Sequence, residues 1–182
     1  VTTSRPQLRA LCIQGDRVSY KDPINKGMAV GLLVFLALAV IGWIVIPSPE
    51  VYSNKYWLKW CFLYSLPLSL GVFAIVLKRY GSEDLIKGYL SSNQGIEVER
   101  AFLQNTVEQT LIALPLVVSF GAMASASLLK AIPLHTFIFL VGRLLFWFGY
   151  KKSYSARIPG FVVTNYANVA LALGCIHLVF NA

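Results

Sequence analysis

Charged side chains are scarce in this sequence. Asp, Glu, Lys and Arg make up 13% of the 182 residues, whereas hydrophobic residues make up 57%. A disordered chain needs more charge and less apolar surface, and an ordinary soluble domain has about 25% charged residues. The scarcity of charge therefore excludes a disordered chain, disfavours a soluble domain and indicates an integral membrane protein.

The residues that build metal, disulfide and catalytic sites are few and scattered. Cys12, Cys61 and Cys175 are far apart and form no CxxC pair, so they predict neither a disulfide nor a metal site. His135 and His177 are flanked by apolar residues, which favours packing at the membrane interface over catalysis. The sequence has no Gly-rich phosphate loop, no paired-carboxylate set and no Ser/His/Asp constellation. We therefore expect no metal centre and no phosphate-loop chemistry.

Long apolar runs are what the sequence has in abundance. Five of them reach or approach the roughly 20 residues that a helix needs to cross a bilayer. Backbone groups in lipid must be hydrogen-bonded within the chain, and the period-two alternation of a barrel is absent, so the runs predict helices. The fold class is thus an all-α, multi-pass membrane protein. The predicted spans are Met28–Pro47, Trp57–Leu77, Thr106–Leu129, Ile132–Tyr150 and Phe161–Phe180.

Basic residues are divided unequally between the two ends of these spans. All but four of the 16 Lys and Arg residues lie on one side, called side A here, in the tail 1–27 and in loops 78–100 and 151–157. The exceptions are Lys55, Lys59 and Lys130 on the other side and Arg143 inside a span. The positive-inside rule predicts that side A and the N-terminus are cytoplasmic. The pattern lacks a basic stripe interleaved with aromatics, so we expect anionic membrane lipids as partners and no nucleic acid.

The segment 1–27 is a polar, basic tail, and the apolar run after it has the length of a full span. A cleaved signal peptide should have a shorter apolar core and a small-residue cleavage site. Met28–Pro47 is therefore interpreted as a retained transmembrane helix.

Polar side chains gather where the third span begins. The stretch ERAFLQNTVEQT, residues 99–110, runs without a break into apolar sequence. Gln104, Asn105 and Glu108 share one helix face there, and Arg100 is close to its start. An ionisable residue inside the membrane is by default a hypothesis for a functional site. Glu108 is the residue that most needs a partner or a ligand.

The fourth span and the loop after it add further polar groups near side A. Arg143 and Tyr150 are seven residues apart and share a face, and Arg157 follows in a short loop. In a structural interpretation, Glu108 pairs with Arg143 and the amides hold helices together. In a functional interpretation, the set binds an anionic ligand with peptide-like groups, since Arg binds carboxylates and Glu binds an ammonium. The crowding at one membrane depth favours the ligand site.

The same residues resemble the motifs of the MAPEG family, the membrane-associated proteins in eicosanoid and glutathione metabolism. The family's second helix carries an Asn followed three residues later by a Glu. Its third helix carries an Arg and ends in a Gly–Tyr pair, and one enzyme of the family has an Arg seven residues further on that activates the glutathione thiol. The matching residues here are Asn105, Glu108, Arg143, Gly149, Tyr150 and Arg157.

The resemblance implies a four-helix transmembrane bundle at residues 57–182, with Met28–Pro47 as an additional N-terminal transmembrane helix. It implies a homotrimer in the endoplasmic reticulum or a related membrane, with glutathione as co-substrate between neighbouring subunits. The implied activity is that of a glutathione transferase or peroxidase on lipophilic small molecules that enter from the bilayer. Arg157 would stabilise the glutathione thiolate as the catalytic residue. The implied glutathione-binding residues are Asn105, Glu108, Tyr150, Arg143, Gln104 and Arg100.

Two positions depart from the family pattern. Ala101 stands where the second helix of the family has an arginine, and Phe146 stands where an enzyme of the family has a tyrosine. Loss of the arginine removes a charge-assisted contact worth about 1.5–3 kcal/mol. The departures and the added helix leave two alternatives open. One is a non-catalytic member that binds a lipid or a partner, and the other is a structural subunit of a larger membrane complex.

Overall fold

Within the described residues, five helical segments are long and apolar enough to cross a membrane, which confirms the predicted all-α membrane fold. The computed structural model describes residues 21–81 and 95–181, and all regular secondary structure in these ranges is helical. A 3₁₀ turn at Phe62–Tyr64 joins the helix Asn54–Cys61 to the helix Ser65–Tyr80, so that these two helices form one span. The helices are α1 (Lys21–Val45), α2 (Asn54–Cys61), α3 (Ser65–Tyr80), α4 (Glu97–Met123), α5 (Ala131–Lys152) and α6 (Ile158–Phe180).

The first helix begins inside the segment that was predicted to be a polar tail. Residues 21–27 of that segment are already helical, ahead of the predicted start at Met28, whereas residues 1–20 lie outside the described residues. Asp22 in the first turn is favourable next to the helix dipole, and Pro23 is tolerated in a first turn, where a missing N–H costs little. Hydropathy identifies only the apolar part of a helix, so it could not show that the polar residues before Met28 are helical as well.

The third predicted span ends earlier than its apolar sequence. The run extends to Leu129, but α4 ends at Met123, because Ala124 and Ser125 have extended backbones with ψ of 143° and 161°. A 3₁₀ turn at Ala126–Leu128 follows. The small residues at the end of the run therefore form the connection to α5.

The start of α4 is tied to the end of α3 on side A. Lys78 Nζ lies 2.8 Å from Glu99 Oε2, and it also donates a hydrogen bond to the Gly95 carbonyl. Glu97 and Glu99 occupy the first turn of α4, where acidic side chains stabilise the N-terminus. The polar segment before the third span is thus helical from Glu97 onward, as its unbroken run into apolar sequence predicts.

The α5–α6 pair packs backbone against backbone. A Cβ atom added to Gly160 would lie 2.6 Å from Phe146 Cα, and one added to Gly149 would lie 2.8 Å from Arg157 Cα. Small residues allow such close approach between membrane helices. The glycines therefore set the side A end of α5 against the start of α6, where the predicted site residues are concentrated.

α1 packs on α6 and α5 rather than standing apart in lipid. Gly27 and Gly31, four residues apart, lie against Ile158 and Val162 of α6. An apolar cluster continues the contact towards the other end of the helices. Its members are Val34, Phe35, Leu38, Ala39 and Ile46 against Leu134, Ile138, Val163 and Ala167.

A buried chain of hydrogen bonds joins four helical segments in the middle of the bundle. The Tyr64 hydroxyl lies 2.6 Å from His135 Nδ1, and Thr136 Oγ1 lies 3.1 Å from the same hydroxyl. Asn168 Oδ1 lies 3.1 Å from His135 Nε2, and Asn168 Nδ2 donates to Gln109 Oε1 at 2.9 Å. A carboxamide oxygen only accepts, so Nε2 carries the proton and Nδ1 accepts from Tyr64. His135 is therefore a core residue, and the predicted position at the membrane interface was wrong.

Tyr64→Phe tests the strength of this network. The substitution keeps the ring but leaves His135 Nδ1 without its donor in a buried site. A buried polar group without its partner costs about 1–3 kcal/mol. We expect a lower thermal melting temperature for the variant in detergent. Tyr80→Phe is the matched control, because Tyr80 is 86% exposed and should melt with the wild type. Equal melting of all three proteins would contradict the network.

Candidate functional site

A cavity of about 460 Å³ opens among the side A ends of α1, α4, α5 and α6. Its volume lies within the range of about 300–1,000 Å³ that is usual for small-molecule sites. Polar and aromatic groups share its wall with aliphatic side chains. The described residues that line it are Ile24, Met28, Ala101, Asn105, Phe146, Tyr150, Tyr154, Arg157, Ile158, Phe161, Val162, Asn165 and Tyr166.

Arg157 is held between two aromatic rings at this cavity. Its guanidinium carbon lies 4.4 Å from the ring centroid of Tyr150 and 4.4 Å from that of Tyr154. A cation within about 6 Å of an aromatic face is attracted by the ring. The short loop after α5 makes the arrangement possible, since the Ser153 hydroxyl accepts a hydrogen bond from the Ala156 N–H at 3.1 Å and closes a turn. The cavity therefore has a positioned positive charge on its wall.

Arg143 lies behind the cavity wall and is 1% exposed. Its Nη1 donates to Asn105 Oδ1 at 2.7 Å, and its Nε donates to Thr164 Oγ1 at 3.1 Å. Nη2 has no hydrogen-bond partner within the described ranges. Because Asn105 Oδ1 already accepts a hydrogen bond from Arg143, the NH₂ group of Asn105 is the part of this side chain that can donate to a ligand.

The other predicted binding residues lie outside the cavity of a single chain. Glu108 is exposed, and its Oε1 accepts a hydrogen bond from Gln104 Nε2 at 2.9 Å. Gln104 and Arg100 line a separate groove beside Arg79. The structural interpretation paired Glu108 with Arg143, and this pairing was wrong within one chain, because Arg143 binds neutral oxygens instead.

The structure thus brings together three of the seven predicted residues on one cavity wall: Asn105, Tyr150 and Arg157. Arg143 supports the first of these from behind. Sequence reasoning missed Tyr154, although its position four residues after Tyr150 was a usable signal. It also missed Asn165, a polar residue near the start of α6 that lines the cavity.

The two departures from the family pattern both lie at the cavity. Ala101 and Phe146 line it beside Asn105 and Tyr150. An alanine in place of an arginine removes one cation from the wall, and a phenylalanine in place of a tyrosine removes one hydroxyl. The described wall of the cavity is therefore less polar than the family pattern predicts, while Arg157, the cation among its described lining residues, is well positioned.

The fold and the cavity define a multi-pass helical membrane protein with a cationic pocket at one end of its bundle. The model of the MAPEG family matches residues 56–177, and the chain belongs to this family. The match takes in α3 to α5 entirely and most of α2 and α6, and it leaves out α1. No curated protein and no solved structure gives a significant match to the chain.

Proposed function

We propose that the cavity binds glutathione and that the protein is a glutathione transferase or peroxidase acting on lipophilic substrates. The observation that carries the proposal is Arg157, held by Tyr150 and Tyr154 on a wall that Asn105 also lines. A cation beside a thiol favours its thiolate form, which is the reactive nucleophile. Asn105 would donate its amide hydrogen to a carbonyl or carboxylate oxygen of the tripeptide.

The chemistry of glutathione fits this cavity in part. Its carboxylates and thiolate suit Arg157 and the Asn105 NH₂ group, since charge-assisted hydrogen bonds are the stronger ones. Its ammonium needs an acid, and none of the described lining residues is acidic. Glu108 is the nearest acid along α4, three residues after Asn105 and exposed.

A second copy of the chain would supply what one chain lacks. Gln104 and Glu108 are exposed on a membrane-spanning helix, where an uncovered carboxylate is costly. We therefore propose a homotrimer in which the Glu108 face of one subunit covers the cavity of its neighbour and binds the glutathione ammonium. The charge asymmetry of the loops supports a cytoplasmic side A, from which glutathione would enter. The endoplasmic reticulum is the proposed membrane.

Ultraviolet difference absorbance of purified protein on adding glutathione tests the proposal directly. A bound thiolate absorbs where the free thiol does not. We expect a saturable signal together with conjugation of a generic electrophile. S-methylglutathione, which cannot ionise at sulfur, is the matched ligand and should compete without producing the signal. A protein that gives neither thiolate absorbance nor conjugation would be inconsistent with the proposed activity.

A non-catalytic lipid-binding role is the second candidate, and the less polar wall at Ala101 and Phe146 favours it. In that case an anionic lipid would place its charged group at Arg157 and its chain along the apolar wall. The thiolate signal separates the two candidates, because a lipid binder gives none. Tight binding of a fatty acid that glutathione does not displace would support the second candidate.

Ala101→Arg should strengthen glutathione binding. The substitution restores a cation on the cavity wall beside Asn105, and a charge-assisted hydrogen bond contributes about 1.5–3 kcal/mol. We expect the Kd for glutathione to fall by roughly 10- to 150-fold. Titration of the thiolate signal measures it. Ala101→Leu is the control, since it adds similar bulk without charge and should weaken binding or leave it unchanged. An equal Kd in Ala101→Arg and the wild type would contradict glutathione at this wall.

A further inference from the structure

α1 lies outside the family match, yet its first turns line the candidate cavity. Ile24 and Met28 belong to the same lining as Asn105 and Arg157. These two apolar residues are four positions apart, so they lie on one face of the helix. A helix with no part in the matched region therefore contributes to the surface that a ligand meets.

Two glycines fix α1 in this place. A Cβ atom added to Gly27 would lie 2.9 Å from Ile158 Cβ, and one added to Gly31 would lie 2.7 Å from Val162 Cβ. Only small residues permit this approach, as in the small-xxx-small contacts of membrane helices. Met28 lies one residue from Gly27 along this contact. The glycine contact therefore holds the side chain of Met28 at the rim of the cavity, where it is still 43% exposed.

The cavity has two kinds of wall. Arg157 and Asn105 form the polar part, and Ile24, Met28 and Phe161 form an apolar part. A methionine side chain is flexible and polarizable, and it adapts to apolar ligands of irregular shape. The charged portion of a reacting pair would bind at Arg157, and the apolar portion would pack on α1.

We propose that Ile24 and Met28 are specificity-determining residues, which set how long an apolar substrate can be when it reacts at the cavity. The inference rests on the proposed function, because it takes glutathione to occupy the polar wall. It gives α1 a part in substrate selection in addition to its packing on α6.

Conjugation of glutathione with a short and a long unsaturated aldehyde, hexenal and dodecenal, tests the inference. The thiolate sulfur bonds to the β-carbon, the double-bond electrons move to the carbonyl oxygen, and the resulting enolate takes up a proton, so no other reactant is needed. The Met28→Trp substitution places a larger side chain on the apolar wall and so narrows the cavity beside α1. We expect the ratio of kcat/KM for dodecenal to that for hexenal to fall by about tenfold or more.

Leu33→Trp is the matched control, because Leu33 lies on α1 outside the cavity lining and is 66% exposed. It should keep the wild-type ratio and the wild-type melting temperature. An unchanged ratio in Met28→Trp, in an enzyme that is active with both aldehydes, would overturn the inference and leave the proposed function intact.

Photolabelling tests whether α1 contacts the apolar part of a bound ligand, and it does not require transferase activity. Dodecanoate with a diazirine at its chain end would bind by its carboxylate at Arg157. We expect irradiation to label residues 21–31 in the wild type and in Leu33→Trp, and to label them much less in Met28→Trp. A label confined to α4, α5 and α6 would overturn the role of α1. Absence of thiolate and of conjugation would count against the enzyme proposal alone.

Discussion

Arg157→Ala should lower kcat/KM for glutathione conjugation by about 10²–10³-fold, which is the usual loss when one group that stabilises developing charge is removed. The guanidinium is the one cation on the described wall of the cavity, and two tyrosine rings hold it in place. We also expect the thiolate absorbance to disappear. Stopped-flow absorbance at saturating glutathione measures both quantities in one experiment.

Two variants separate catalysis from folding in this experiment. Arg157→Lys keeps the charge but loses the planar stacking on Tyr150 and Tyr154, so an intermediate loss is expected. Lys152→Ala removes an exposed cation near the same loop and should leave activity at the wild-type level. The melting temperature of Arg157→Ala should fall by a few degrees at most, because each cation–π contact of this half-buried side chain contributes on the order of 1 kcal/mol. Wild-type kcat/KM in Arg157→Ala would move the function towards lipid binding.

The end of the bundle that carries the site could be predicted from the sequence. Spans alternate in direction, so the start of the third span, the end of the fourth and the start of the fifth must meet on one side. Asn105, Tyr150 and Arg157 belong to those three places, and they line one cavity. Hydropathy and chain direction suffice for this step, because the bilayer restricts the helices to crossing it.

The partner of Arg143 could not be predicted in the same way. Asn105 and Glu108 are separated by about 60° around α4, so a modest rotation of the helix decides which of them faces α5. That rotation is set by packing, in which the ring of Phe102 stacks on Trp147 at 4.9 Å and turns Asn105 inward. Periodicity gives the faces of a helix, but only side-chain fit between helices gives its rotation.

The position of α1 against α6 could not be predicted from the sequence, for a related reason. An apolar run predicts that a helix crosses the membrane, but it does not show which other helix that helix packs against. Gly27 and Gly31 select the neighbour here, since their missing side chains leave room for Ile158 and Val162. A pair of glycines four apart is a usable signal for a contact, but the matching surface on α6 carries branched residues that look like ordinary lipid-facing sequence.

Gly160→Ala should destabilise the folded protein by at least about 3 kcal/mol, at or above the upper end of the usual cost of overpacking. The added Cβ would lie 2.6 Å from Phe146 Cα and 2.7 Å from the Leu145 carbonyl carbon. These are backbone atoms in the middle of a helix, so no side chain can rotate to make room. α5 and α6 would have to separate, and the cavity that both helices line would change with them. Thermal unfolding in detergent measures the loss.

Gly81→Ala is the matched control, because the nearest atom to its added Cβ is 3.8 Å away and its φ of −83° suits alanine. It should melt within a few degrees of the wild type. Gly174→Ala is an intermediate case, since its neighbour is the ring of Phe120 at 3.0 Å, and a ring can shift where a backbone cannot. The expected order of stability is therefore Gly81→Ala, then Gly174→Ala, then Gly160→Ala. Equal melting temperatures of Gly160→Ala and Gly81→Ala would contradict this packing, because α5 and α6 would then have to lie further apart than the Gly160 contact requires. The position of Arg157 over Tyr150, which depends on the same pair of helices, would then be in error as well.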